Sequence, residues 1–375
     1  MKNGRTIFFK RVLLLSFFLI CVLSIPALSW AEAYLAARTG FKCSQCHVNP
    51  TGGGKRNGFG LVYAQTRLPY RFLRTSEGGG LFDGAINDYI SVGGDLRFSN
   101  KTTFGEDRPN DNAIEITEGT IYVETNLIED FLTFYIDETF APAGASNRET
   151  FGLIHNLPLN SYIKAGRILL PFGIRILDDK AFIREMTGFN FDNQDLGLEF
   201  GLEPGPFSLS VAVSNGTQGA PENNKDKQIS SVGSVVYRKF RVGGSFSRNK
   251  VPGVTRTLYG SFATLNSGRF ALLGEIDLIR DRFDSNDTDD FGDQLVFFAE
   301  LDFLITKGIN FKAAYDFFDP RTELDEDERD RVSIGIEPFL TQFLQVSAFY
   351  RIYESIPQRP QENEDQFTLE FHVSF

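Results

Sequence analysis

The stretch FTLEFHVSF, residues 367 to 375, sets apolar Phe367, Leu369, Phe371, Val373 and Phe375 against polar Thr368, Glu370, His372 and Ser374. Successive strand side chains point to opposite faces, so this segment has one apolar face and one wet one. The same period returns where Phe207, Leu209, Val211 and Val213 alternate with Ser208, Ser210, Ala212 and Ser214. A third case sets Leu344, Val346, Ala348, Tyr350 and Ile352 against Gln345, Ser347, Phe349, Arg351 and Tyr353. Soluble sandwiches alternate too, so length and charge must decide. Many segments run to about 10 residues, the length of a tilted membrane strand. Their polar phase carries Asp95, Arg97, Glu124, Glu199, Glu275, Asp277, Glu300, Asp302 and Arg351, which suits a watery lumen. The expected fold class is all-β: a transmembrane antiparallel barrel of 16 candidate strands between residues 86 and 375, with 14 as the alternative. The segment at 147 to 155 is the weakest, and the terminal Phe375 supports the barrel as an assembly signal.

The amino-terminal residues bear on compartment. Lys2, Arg5, Lys10 and Arg11 precede an uncharged apolar run from Val12 to Leu28, and Ser29, Trp30 and Ala31 resemble a cleavage site. This predicts a cleaved export signal over 1–31, with Ala33 as the alternative last residue and a retained anchor as the competing reading. A lipoprotein reading of Cys21 is opposed by bulky Leu19 and Ile20. The whole chain carries a net charge of -11, and loss of a leader with four cations and no acids leaves -15. So acidic a chain is a poor nucleic-acid partner. No other apolar run approaches the ~18 residues of a spanning helix, so membrane contact requires a closed barrel. Long acidic stretches at 281–293 and 319–331 fit extracellular loops, and short links such as EPGP at 203–206 fit periplasmic turns.

Between leader and barrel lies FKCSQCHVNP, residues 41 to 50. Cys43-x-x-Cys46-His47 has the spacing for covalent haem: two thiols add across the porphyrin vinyl groups and the adjacent imidazole becomes the proximal iron ligand. Zinc, a thioredoxin-like redox pair and a plain disulfide compete. The first lacks further cysteines in the mature chain, the second lacks a βαβ setting, and the third leaves His47 unexplained. The expectation is one covalent haem c, with Cys43, Cys46 and His47 as its site and no catalytic residues. Met186, in FIREMTGF at 182–189, is the candidate distal ligand. His155, His372 and an open position are the alternatives. Gly52, Gly53 and Gly54 read either as a close approach to the ring or as a flexible linker. Arg38, Lys55 and Arg56 read as propionate partners or as solvated charges. The expected division is a leader at 1–31, a monohaem cytochrome-like segment at 32–80 serving as plug or periplasmic cap, and the barrel at 81–375.

Ala37, Arg38, Thr39, Gly40, Cys43, Cys46, His47, Asn57 and the Phe59-Gly60 pair resemble the haem segment of the fused monohaem cytochrome-porins of the bacterial outer membrane, whose best-known members oxidise iron. YIKAGRILLPFG, residues 162 to 173, resembles a segment of the phosphate-selective-type porins. The triple glycine at 52–54 departs from the Pro-x-Leu-Asn stretch of the iron-oxidase branch. The resemblance implies an outer-membrane electron-transfer protein, rather than a substrate-converting enzyme. It would pass electrons between an extracellular donor or acceptor, iron among them, and periplasmic c-type cytochromes. Outer-membrane lipid is an expected partner, and a homotrimer is compatible with the fold. The alternative is a passive diffusion porin with the haem segment as plug or sensor.

Overall fold

The computed structural model describes residues 33–73, 81–105, 109–222, 224–283, 292–355 and 363–375. The expected leader at 1–31 lies outside the described residues. Three α-helices are described: α1 (Ala33–Thr39), α2 (Gly58–Arg67) and the short α3 (Phe182–Glu185). Sixteen strands follow in chain order. They are β1 (Ile90–Gly105), β2 (Asp111–Ile128), β3 (Leu132–Ala141), β4 (Ser146–Leu157), β5 (Ser161–Leu169), β6 (Gln194–Leu202), β7 (Phe207–Ser214) and β8 (Gln228–Tyr237). The second half adds β9 (Phe240–Val251), β10 (Val254–Ser267), β11 (Phe270–Phe283), β12 (Gln294–Thr306), β13 (Ile309–Asp319), β14 (Arg329–Pro338), β15 (Leu344–Glu354) and β16 (Glu364–Ser374).

Each strand pairs antiparallel with its chain neighbours, and β1 closes on β16 with Asp95 opposite Ser374 and Gly105 opposite Glu364. Closure gives every strand two partners, so no backbone edge faces lipid. The alternation keeps its predicted sense. On β6, Leu198 and Phe200 are 54% and 45% exposed on the outside, while Glu199 between them is fully buried in the interior. Phe367, Phe371, Val373 and Phe375 likewise lie exposed.

Two boundaries moved for physical reasons. β1 runs on to Gly105 and β2 starts at Asp111, although the sequence there loses its apolar phase. Asn112 bridges Asn100 and Thr102 on the exposed face, so this hairpin continues as a hydrated ladder. At the other boundary, Pro252 and Gly253 (φ +87°) turn β9 into β10, shortening the expected connection there.

The links from even- to odd-numbered strands are all short and lie at one mouth with Phe375. At the opposite mouth, residues 170–193 between β5 and β6 form the long connection, and they fold into the barrel. Their Gly173 N donates to Ser245 Oγ on β9 (2.8 Å), Ile174 N to Glu275 Oε2 on β11 (2.6 Å) and Phe182 N to Asp316 Oδ1 on β13 (2.9 Å). Phe172 and Phe189 stack at 4.5 Å within this loop, and Ile176, Phe182 and Ile183 are buried with wall residues Phe298 and Phe318.

Candidate functional site

Residues 33–73 sit in the mouth with the short turns, held by wall groups from around the barrel. Arg38 Nη1 donates to Asn310 Oδ1 on β13 (3.0 Å), and Asn266 Nδ2 on β10 donates to the Arg38 carbonyl (2.9 Å). Lys42 Nζ reaches the Glu203 and Phe207 carbonyls, and Arg241 on β9 donates to the Phe41 carbonyl. Asn49 Nδ2 meets both oxygens of Glu149 on β4 (3.0 and 2.9 Å), while Lys164 on β5 donates to Asn49 Oδ1 (3.0 Å). Lys55 pairs with Glu124 on β2 (2.7 Å), and Arg56 Nη1 donates to Ser374 Oγ on β16 (3.2 Å). Tyr34, Leu35, Ala37, Tyr63, Ala64 and Leu68 form an apolar seam with Ala271, Leu273 and Phe339. The inner wall therefore meets the segment with an apolar seam on one side and charged or polar anchors on the other.

Local sequence fixes the Cys-x-x-Cys-His turn. Cys43–Gln45 form a 3-10 turn, and the backbone N–H groups of Cys46 and His47 both donate to the Cys43 carbonyl. Asn57 ties this turn to α2: its Oδ1 caps the helix by accepting from Gly60 N (2.9 Å), and its Nδ2 donates to the Ser44 carbonyl (3.1 Å). Gly60 lets the helix approach, since a Cβ there would collide with the Cys46 carbonyl. Gly52, Gly53 and Gly54 all have positive φ (88°, 82° and 63°). A Cβ on Gly52 would stand 3.2 Å from Cys43 Sγ, one on Gly53 would stand 3.3 Å from Phe191, and one on Gly54 would strike the Tyr135 hydroxyl. The glycines thus make a fixed tight loop in place of a flexible linker.

Cys43, Cys46 and His47 line one cavity of about 1000 Å³ in the lumen, together with Arg56, Arg175 and Arg241. Both thiols are free. Burial pushes the Cys43 thiol up despite Arg241 and Arg175, and burial followed by Cys43 itself pushes Cys46 up to about 11. His47 is brought down to about 4 by burial first and Arg56 second, partly opposed by the Gly53 and Gly54 backbone. At neutral pH the imidazole is therefore uncharged, as an iron ligand must be. Its Nδ1 is buried with no partner of hydrogen-bond geometry. Two free thiols and a neutral imidazole on one cavity fit the covalent attachment of a haem. Among the described residues, no group of three or more His, Cys, Asp and Glu converges as a metal cage.

The other candidate residues are placed as follows. Arg38 and Lys55 anchor the segment to the wall through Asn310 and Glu124. Both nitrogens of His372 are engaged, by Gln345 (3.0 Å) and Asp95 (2.9 Å), so it is not placed to ligate. His155 Nε2 contacts Thr133 Oγ1 (3.1 Å). Met186 packs against the apolar cluster of the β5–β6 loop, and neither it nor His155 lines the cavity that holds Cys43, Cys46 and His47.

The sequence reading missed Arg175. Its Nη1 donates to the Gly52 carbonyl (2.6 Å) and Thr51 Oγ1 (3.3 Å), and its Nη2 to the Leu170 carbonyl (3.2 Å), clasping the β5–β6 loop to the motif segment. The available signal was the apolar density of 168–191, which a loop bathed in water would not carry.

No family model matches the chain, and no curated protein matches it. Solved structures do. The in-vitro folded OmpT of Vibrio cholerae in its trimer form shares 13% identity, with a TM-score of 0.60 over 77% of this chain and 100% of that one. An anion-selective porin from Comamonas acidovorans shares 9% identity, with a TM-score of 0.60 over 76% and 99%. The outer-membrane channel DcaP of Acinetobacter baumannii shares 10% identity, with a TM-score of 0.53 over 76% and 97%. Identities this low carry the architecture alone: the chain shares with these outer-membrane proteins the closed antiparallel barrel, here of 16 strands.

Proposed function

We propose that the chain is an outer-membrane electron-transfer protein that holds one c-type haem within its barrel through Cys43, Cys46 and His47. The observation that carries this reading is the placement of the complete motif inside the lumen, on a segment tied to strands around the wall. When bound, the haem would supply one-electron chemistry. The chain's own residues do the rest. Cys43 and Cys46 present the thiols for attachment, and His47 presents a neutral ring nitrogen to iron. Asn57 and the three glycines hold the motif turn in shape, while the β5–β6 loop covers it from the opposite mouth and limits water. A hydrocarbon core ~30 Å thick is too wide for an external haem to serve both faces, and a site within the lumen shortens the gap. The acidic stretch 319–331 at the far mouth favours a cationic donor, ferrous iron among them.

A second reading is a diffusion porin in which residues 33–73 act as a plug. The likeness to proteins described as porins and channels favours it, as does the cavity left in the lumen. Proteoliposomes separate the two. Purified protein should carry haem that survives denaturing electrophoresis, and should couple an impermeant external reductant to an enclosed acceptor. Solute entry without redox coupling would support the porin instead.

A further inference from the structure

The mouth with the short turns has a charge pattern that the acidic composition of the chain hides. Arg238 and Lys239 in the β8–β9 turn, Arg269 in the β10–β11 turn and Lys307 in the β12–β13 turn are exposed on three successive turns. The luminal segment continues the arc with exposed Arg67 and Arg71. Contacts make this one surface. Lys307 Nζ donates to the Thr66 carbonyl (3.3 Å), Arg38 Nη2 donates to the Arg269 carbonyl (3.3 Å), and a Cβ on Gly40 would lie 3.2 Å from the Arg238 carbonyl. Exposed acids gather on the other side of the mouth, at Glu129 and Asp130 in the β2–β3 turn and at Asp83 and Asp88 ahead of β1. The mouth is therefore dipolar.

An apolar spot lies beside the cationic arc. Phe59 and Val62 on α2 are 50% and 47% exposed, and neither lines the luminal cavity. Phe59 packs on Phe41 and Tyr63 at 5.6 and 5.9 Å, and it is the neighbour of Gly60, which abuts the Cys46 carbonyl. A small apolar centre edged by charge of one sign is the form of a transient interface, in which charge steers the encounter and a dipole sets the approach. Lipid headgroups would explain cations on the outer turns. They do not explain Arg67, at the end of α2 within the mouth, whereas Arg71 lies at the rim with its N–H on the Leu340 carbonyl of the β14–β15 turn.

Resting on the electron-transfer reading above, we propose that this face docks a soluble periplasmic electron carrier whose own contact surface is acidic, seated on Phe59 and Val62 beside the Cys46 end of the motif. The test uses the full chain in detergent with two small redox proteins as probes, an acidic ferredoxin and a basic cytochrome c. The wild type should bind the ferredoxin at least tenfold more tightly than the cytochrome, with affinity falling as salt rises. The variant K239E/R269E/K307E should lose that preference, and F59A should weaken binding without changing its salt dependence. Equal affinity for both probes overturns the proposal, and that comparison needs only wild-type protein if the variant fails to insert. Loss of adsorption to phosphatidylglycerol vesicles in the variant, with ferredoxin binding unchanged, also overturns it in favour of a lipid surface. Wild-type protein without covalent haem refutes the electron-transfer reading, whereas haem-bearing protein with no probe preference refutes the docking face alone.

Discussion

Gly54 shows how narrowly single residues constrain the motif turn. It adopts φ +63° with its Cα side against the Tyr135 hydroxyl, which in turn accepts from Lys55 N (2.9 Å). G54A should cost about 1–3 kcal/mol from left-handed strain, with the collision added to it. The midpoint of heat-induced mobility change in semi-native electrophoresis would report the loss. Lys164 is a second case. It is fully buried between Glu199 (3.0 Å) and Asn49 (3.0 Å). K164M would leave the Glu199 carboxylate without its counter-charge, and removal of one partner from a buried pair costs about 3–5 kcal/mol. A denaturant midpoint no lower than wild type would contradict this.

At the scale of elements, the β5–β6 loop is held by a charge latch. Arg331 on β14 reaches Asp178 Oδ2 (3.0 Å) and Asp316 Oδ2 (2.8 Å), and Arg351 on β15 reaches Asp178 Oδ2 (3.5 Å). Burial opposes ionisation of Asp178, but Arg331 and then Arg351 outweigh it and hold the carboxyl well below its usual range. A folded value below the unfolded ~3.9 means that the latch contributes fully above that pH and weakens as pH falls further. The loop should therefore resist protease from neutral pH down to about 4, and D178N should expose it at neutral pH. Strand positions were legible because outward residues such as Leu198 and Phe200 must meet lipid at every turn of the barrel. The inward role of 170–193 was not legible, because its apolar residues share no period with any one face. Cys43, Cys46 and His47 were legible from spacing, whereas Asn49, Glu149 and Arg175 come together only across the lumen.

At the scale of the molecule, the segment 33–73 and the β5–β6 loop fill the barrel from opposite mouths and meet at Arg175. Deleting 33–73 should leave the closed strand ladder intact, since each strand keeps both neighbours, and should open a conducting path. Planar-bilayer recordings would show a several-fold rise in conductance, and unchanged conductance would show that the segment does not obstruct the lumen. The seam between β1 and β16 adds a temporal constraint. Arg56 touches Ser374, and the motif turn lies within a cylinder that this last pairing seals. Maturation enzymes are too bulky to work inside such a tube. On the haem reading proposed above, the prosthetic group would have to be fastened to the nascent thread while the sheet is still open, and cells lacking the ligation machinery should accumulate finished barrels that later supply of haem no longer converts.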